Sequence, residues 1–209
     1  MQKNKKSITK ARRLQILVLI ILLSSSPLSW GLDRKGMVGF GGTILTGLAT
    51  GDFGALVESG LGPGVNIEYF MNKSVAVGAN FGYLLFQSPA VVQDSSLTQE
   101  WRMLSYGLFG KYIFNPEKEF SFYGKGGAML NSHQIKYERV APPVPSDSSK
   151  IKDNTIQISA GLGMTFDYKE RLGLFAEFLY NRLLIKDISV QFFNLNIAAT
   201  LYFGGRKQK

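Results

Sequence analysis

The sequence predicts an all-β chain folded as an eight-stranded antiparallel up-and-down transmembrane β-barrel. Three observations carry that prediction. Apolar and small or polar residues alternate with period two through most of the chain, the pattern of strands with two unlike faces. Short turns and longer connections take turns along it, as in a meander with two unlike ends. One face of the alternation carries no charge, while the other is mostly glycine, serine, threonine and asparagine with four mid-strand charges.

The first 31 of the 209 residues stand apart. Lys3, Lys5, Lys6, Lys10, Arg12 and Arg13 precede an apolar run from Leu14 to Leu23, followed by Ser24–Ser26, Pro27 and the small residues Ser29 and Gly31. That order is the basic, apolar and cleavage region of a secretory signal peptide. The apolar run is about half of what a spanning helix needs. Residues 1–31 are therefore expected to be cleaved, leaving 32–209 as one barrel domain. The net charge of +9 falls to +3 without this segment, with 18 basic residues against 15 acidic. Basicity thus belongs mostly to targeting, and nucleic-acid binding is not expected.

Beyond residue 31 no stretch offers eighteen consecutive apolar residues, so no spanning helix is expected. The first strand, 36–46, sets Val38, Phe40 and Ile44 against Gly39, Gly41 and Thr43. A Gly-rich stretch, 47–63, reads as a long connection. Strand 64–70 sets Val65, Ile67 and Tyr69 against Asn66 and Glu68, and Met71-Asn72-Lys73-Ser74 turns the chain. Strand 75–86 alternates Val75 to Leu85 with Gly78, Asn80 and Gly82, before a second long connection at 87–98. Strand 99–114 sets Leu104, Tyr106, Leu108 and Tyr112 against Ser105, Gly107 and Lys111, and ends in Asn115-Pro116-Glu117-Lys118. Strand 119–137 sets Phe120, Phe122, Ala128 and Leu130 against Ser121, Tyr123, Lys125 and Gly127, before a Pro/Ser/Asp-rich connection at 138–153. Strand 154–167 alternates Ile156 to Phe166 with Gln157, Ser159, Gly161, Gly163 and Thr165. After the turn 167–170, strand 171–182 sets Leu172, Leu174, Ala176, Phe178 and Tyr180 against Gly173 and Glu177. The last strand, 189–203, alternates Phe193, Leu195, Ile197, Ala199, Leu201 and Phe203 with Asn194, Asn196 and Thr200.

A soluble barrel with its apolar face inside would carry an outer face a quarter to a third charged, and this one does not. In the inverted barrel the apolar face meets lipid and the small residues fit an interior just wide enough for side chains. Closure then satisfies every backbone N–H and C=O, the condition for crossing a membrane with strands. Aromatics cluster near strand ends: Tyr69, Tyr112, Phe114, Phe120, Phe166 and Phe203 at the short-turn end, and Tyr83, Trp101, Tyr106, Tyr180 and Phe193 at the other. They read as two interfacial girdles.

With this alternation, these turns and a final strand ending at Phe203, residues 36–203 resemble the small eight-stranded bacterial outer-membrane barrels, the OmpA membrane-domain and OmpX-like group. The resemblance implies residence in the bacterial outer membrane, contact with its lipid and lipopolysaccharide, and delivery by periplasmic chaperones and the barrel-assembly machinery. The tail Gly204–Lys209 departs from the group, whose final aromatic usually ends the chain. The resemblance leaves activity open.

The inward charges Glu68, Lys111, Lys125 and Glu177 are the candidate functional set. Glu68 and Lys111 each lie about three residues above a short turn, Lys125 and Glu177 about six, which predicts two paired levels of ions across the lumen. A buried charge needs a partner, so a brace that plugs the lumen is expected, with a gated pore as the alternative. Ser132, His133 and Glu138 invite comparison with an outer-membrane lipid A deacylase. Neighbours on a strand point to opposite faces, so Ser132 and His133 cannot pair there, and His133 is expected to be exposed near a loop. With no cysteine and one histidine, no catalytic, metal or cofactor site is expected. The expected role is a non-enzymatic barrel with a largely plugged lumen, acting in envelope integrity or surface interaction through connections 47–63, 87–98 and 138–153. A narrow passive channel is the first alternative and a lipid-modifying enzyme the second.

Overall fold

The computed structural model describes residues 34–87, 97–139, 148–168, 171–185 and 189–204. The expected signal peptide, most of the connection 87–98, the centre of 138–153 and the basic tail lie outside the described residues. Eight strands, β1 (Met37–Thr50), β2 (Ser59–Phe70), β3 (Val75–Gln87), β4 (Leu97–Ile113), β5 (Phe120–Arg139), β6 (Ser148–Tyr168), β7 (Leu172–Leu184) and β8 (Ser189–Gly204), follow one another around a closed barrel. Every neighbouring pair is antiparallel, and β8 closes on β1 from Met37↔Gly204 to Thr50↔Gln191. Closure removes the sheet edges within the barrel wall, so the backbone can sit in hydrocarbon.

The alternation sorts the two faces as the sequence predicts. Most outward residues along the strand middles are apolar and uncovered by protein, with Leu108 71% and Leu162 64% exposed. The expected absence of charge on this face fails toward the long-connection end, where Arg102, paired with Glu100, and Arg182 point outward. An apolar surface of this extent belongs against lipid, not water. Short turns at one end are held locally. Asn72 Oδ1 accepts from the backbone N–H of Ser74 and Val75, both at 2.8 Å. Ser121 Oγ donates to the carbonyls of Asn115 (2.6 Å) and Lys118 (2.8 Å).

Two departures from the sequence reading concern the other end. The stretch 47–63 is not a long loop. β1 runs on to Thr50, a six-residue helix α1 (Gly51–Leu56) follows, and β2 starts at Ser59, so that Gly47 pairs with Gly60. Gly51 enters the helix at φ +59, a left-handed conformation that glycine accepts without penalty. The glycines and proline read as loop formers have another purpose. A Cβ at Gly47 or Gly60 would come within 2.6–2.8 Å of the inward Phe86 ring. The β2–β3 ladder runs from Leu61↔Leu85 to Gly64↔Gly82 without pairing Gly62 or Pro63, as the missing N–H of proline requires. The register itself does not slip.

The second departure is the placement of Trp101 and His133. Trp101 is not a girdle residue, and His133 is not exposed. They are 4% and 5% exposed and point inward, with ring centroids 5.4 Å apart. Both lie on the same inward register as Lys111 and Lys125 on their own strands, so the pleat leaves them no other side.

Candidate functional site in the barrel lumen

The lumen is built in levels from the short-turn end upward. At the base, Arg34 forms a buried ion pair with Asp167. The guanidinium carbon lies 5.2 Å from the Phe70 ring centroid and 5.6 Å from that of Tyr202. Thr165 Oγ1 donates to Asp167 at 3.3 Å. Neither ion was among the candidates: Arg34 precedes the first alternating segment, and Asp167 was read as part of a turn.

One level up, Lys111 pairs with Glu68, both almost wholly buried. Tyr202 donates its hydroxyl to Glu68 at 3.0 Å. The Lys111 ammonium also faces the rings of Phe175 (4.5 Å) and Tyr123 (4.9 Å). The third level is Lys125 with Glu177, Nζ to Oε1 at 2.9 Å and to Oε2 at 3.0 Å. Tyr123 donates to Glu177 at 2.8 Å and Asn196 Nδ2 at 3.4 Å. The Lys125 ammonium lies 4.3 Å from the Phe109 centroid. The structure therefore brings Glu68 to Lys111 and Lys125 to Glu177. Lys111 and Lys125 are also register partners on β4 and β5, a like-charge juxtaposition in which each base has its own carboxylate.

The arrangement has a shared logic. Each upper carboxylate takes a lysine and a tyrosine hydroxyl, and each lysine lies against aromatic faces. A buried ion pair holds only when the remaining hydrogen-bonding capacity is also met, and a ring face stabilises a cation. Glycines make the space. At Gly163, directly across the ladder from Tyr123, a Cβ would overlap the Tyr123 ring. Gly163→Ala should therefore push that ring off Glu177 and destabilise the barrel by about 1–3 kcal/mol. Urea unfolding in lipid vesicles measures this, and a wild-type midpoint would mean that the ring has room to move.

Above the ions, a row of amides crosses four strands at one height. Ser105 bonds to Asn131, Asn131 Nδ2 donates to Gln157 at 3.0 Å, and Gln157 Nε2 donates to Asn181 at 2.7 Å. Asn181 finishes on the carbonyls of Leu179 and Phe192. A cavity of about 50 Å³ lies beside this row, bordered by Asn80, Glu177, Asn194 and Asn196. That is room for a few water molecules. A second void of about 20 Å³ lies lower, between Glu68, Lys111 and Glu177.

The far end of the lumen is shut by α1. Phe53 and Val57 are fully buried and pack with Leu84, Phe86, Trp101, Met103 and Phe192. Phe53 meets Phe86 and Trp101 edge-on, at 5.1 and 4.9 Å between centroids. These rings form an apolar stopper above a polar column.

The triad comparison fails on geometry. Ser132 points outward and is exposed, His133 points inward, and they diverge across the barrel wall. Glu138 sits further up β5, opposite Thr98 and Ser148. Among the described residues no group of three or more His, Asp or Glu could hold a metal ion.

The chain matches the sequence profile of the outer membrane protein beta-barrel domain over residues 16–200. No curated protein matches it by sequence. Among solved structures it is similar to Neisserial surface protein A, at 15% identity over 81% of this chain and 100% of that one, with a TM-score of 0.54. It is similar to OprG of Pseudomonas aeruginosa at 11% identity, 84% and 99% coverage and a TM-score of 0.55. It is also similar to Ail, the attachment invasion locus protein of Yersinia pestis, at 15% identity, 81% and 99% coverage and a TM-score of 0.53. At these identities the likeness is one of fold.

Proposed function

The chain belongs to the outer membrane protein beta-barrel domain family, and from that premise we propose that it is a closed, non-conducting and non-enzymatic barrel. It resides in the outer membrane, supports the envelope and acts through the surface on its long-connection side. The observation that carries this reading is the filling of the lumen. Three ion pairs, a row of amides and an aromatic stopper occupy successive heights. Two voids among the described residues, about 50 and 20 Å³, have room for water molecules but not for a larger solute. A passive channel needs binding weak enough for an ion to leave, whereas here each fixed charge is met by its neighbour.

Residues 1–31 direct export and are removed. The final strand, with Phe203 at its end, is the segment handed to the assembly machinery after chaperone escort. Lipid and lipopolysaccharide contact the outward apolar rows. Residues 138–153 face the outside and the short turns face the periplasm, so protease added to whole cells should cut within 138–153. Protection there, with cutting at Lys118 instead, would invert the topology.

Planar-bilayer recording tests the closed lumen. The purified barrel should leave conductance at the level of the bare bilayer. Phe53→Asp should loosen the stopper and expose α1 to protease, still without conduction, because the ion pairs lie beneath it. Sustained single-channel openings of the wild-type protein would overturn the reading in favour of a narrow pore.

A further inference from the structure

The outward face is not evenly filled. Strand register sets its side chains in rows that run across the strands. One row carries Ala79, Leu108 and Ala128, and the row above it Phe81, Tyr106 and Leu130. The two alanines leave gaps on either side of Leu108, beneath the large side chains of the upper row. The result is an apolar groove of about 690 Å³ that crosses from β2 to β6. Ligand pockets have this size, about 300–1,000 Å³. On the β7–β8 side Phe178 stacks on Phe193, with ring centroids 5.1 Å apart, and the rings fill the space between those strands.

The groove also has a direction. Its β2 end, at Val65, lies five residues above the short turn, and its β6 end, at Ile156, lies twelve above. A tilted strand needs about 9–11 residues to cross the hydrocarbon. The groove therefore starts near the bilayer midplane and opens at the boundary on the long-connection side. Four strand spacings separate its ends, about 19 Å in all, and one leaflet of hydrocarbon is about 15 Å deep. An extended acyl chain, lying oblique to the membrane, spans that distance.

Polar side chains stand where the groove opens. Ser132 and Asn154 are register partners, both exposed, one outward position above Leu130 and Ile156. Arg182 is exposed on β7 opposite Ile158. It is thus diagonal to Ile156, about 7–8 Å away and within reach for a long side chain. It lies ten residues above the short turn, at the level of the headgroups. Arg102 is already paired with Glu100, whereas Arg182 meets no carboxylate among the described residues. A guanidinium takes a phosphate through two parallel hydrogen bonds.

We propose that this groove holds one acyl chain of a phosphorylated glycolipid of the outer leaflet, the lipid A part of lipopolysaccharide, with its phosphate on Arg182 and its sugar beside Ser132 and Asn154. Continuity with the lipid face selects an acyl chain, the unpaired guanidinium selects a phosphate, and the two neutral hydrogen-bonding side chains suit a sugar. This deepens the lipid contact proposed above into one bound molecule and rests on that reading, yet the two fail separately. A barrel cut at Lys118 on whole cells loses the topology, and a correctly oriented barrel that retains no lipid A loses only this inference.

The test uses the full barrel in phosphatidylcholine nanodiscs doped with lipid A, released intact into a mass spectrometer. One lipid A should stay with each barrel. Ala128→Trp fills the groove with an apolar side chain and should weaken retention about tenfold or more. Ala199→Trp, the same change at an exposed position on the opposite wall, should leave it as it is. Arg182→Gln should weaken retention about tenfold as well, and with dephosphorylated lipid A it should no longer differ from wild type. All three variants should keep the wild-type urea midpoint, since none touches the lumen. Equal retention by wild type and Ala128→Trp would overturn the proposal, as would retention of phosphatidylglycerol as strong as that of lipid A. Dimers that form without lipid A and vanish with Ala128→Trp would make the occupant a second copy instead.

Discussion

Glu177→Gln should cost the barrel about 3–5 kcal/mol, and Lys125→Met a similar amount, while the double mutant should lose less than the sum. The reason lies in what each single change leaves behind. With glutamine at 177, the Lys125 ammonium keeps the face of Phe109 and an uncharged amide oxygen but loses its counter-charge. Without Lys125, the Glu177 carboxylate keeps Tyr123 and Asn196 but no cation in direct contact. Removing both leaves no buried ion at that height. A double-mutant cycle on urea unfolding in lipid vesicles isolates the pair term. Strict additivity would show that the two side chains do not interact in the folded barrel. The same variants bear on function. A brace that is broken gives a weaker barrel that still does not conduct, because the pairs Arg34–Asp167 and Glu68–Lys111 lie beneath it. A gate that is broken gives current.

Leu108→Arg and Leu162→Arg should each impair insertion by about 2–4 kcal/mol, the cost of a cation at the bilayer midplane. Both side chains lie among the most exposed of the outward rows and sit five and six residues from the short-turn ends of β4 and β6, about halfway along the 9–11 residues a tilted strand needs to cross the hydrocarbon. Ser159→Arg makes a useful contrast. Ser159 is buried in the lumen near the Gly127 carbonyl, so the failure there is overcrowding. The lipid-face variants should recover in thinner bilayers, which bring headgroups closer, and the lumen variant should not. Assembly of both leucine variants like wild type would mean that the outward face is not the lipid face.

The faces were legible in the sequence because alternation is a local property. A strand in a closed barrel has two environments, lipid and lumen, and every second residue samples the same one. The same parity holds for Trp101 and His133, which the sequence reading set in a girdle and at an exposed position but which point inward, in register with Lys111 and Lys125 on their strands. Proximity to a strand end and to a connection argued the other way, and parity prevailed because the pleat leaves no choice. Asp167 shares the register of Thr165 and could have been found likewise. Arg34 could not, since it precedes the first strand and nothing local marks a lone arginine as buried. The Gly47–Gly64 region was illegible for another reason. Glycine signals a turn and also a strand position facing a large ring, and only Phe86, brought across from β3, distinguishes the two.

By itself, then, the sequence determined the class of fold, the number and order of strands, and which surface meets lipid. These follow from short-range periodicity, turn residues and the requirement that a membrane-crossing sheet be closed. The tertiary structure decided which charges meet, what fills the space between them, how α1 shuts one mouth, and how far β6 outruns β7. Each of these depends on the relative height of strands far apart in the chain, as with Arg34 and Asp167, 133 residues apart. Those heights are fixed by the stagger accumulated around the closed barrel, which no single strand encodes.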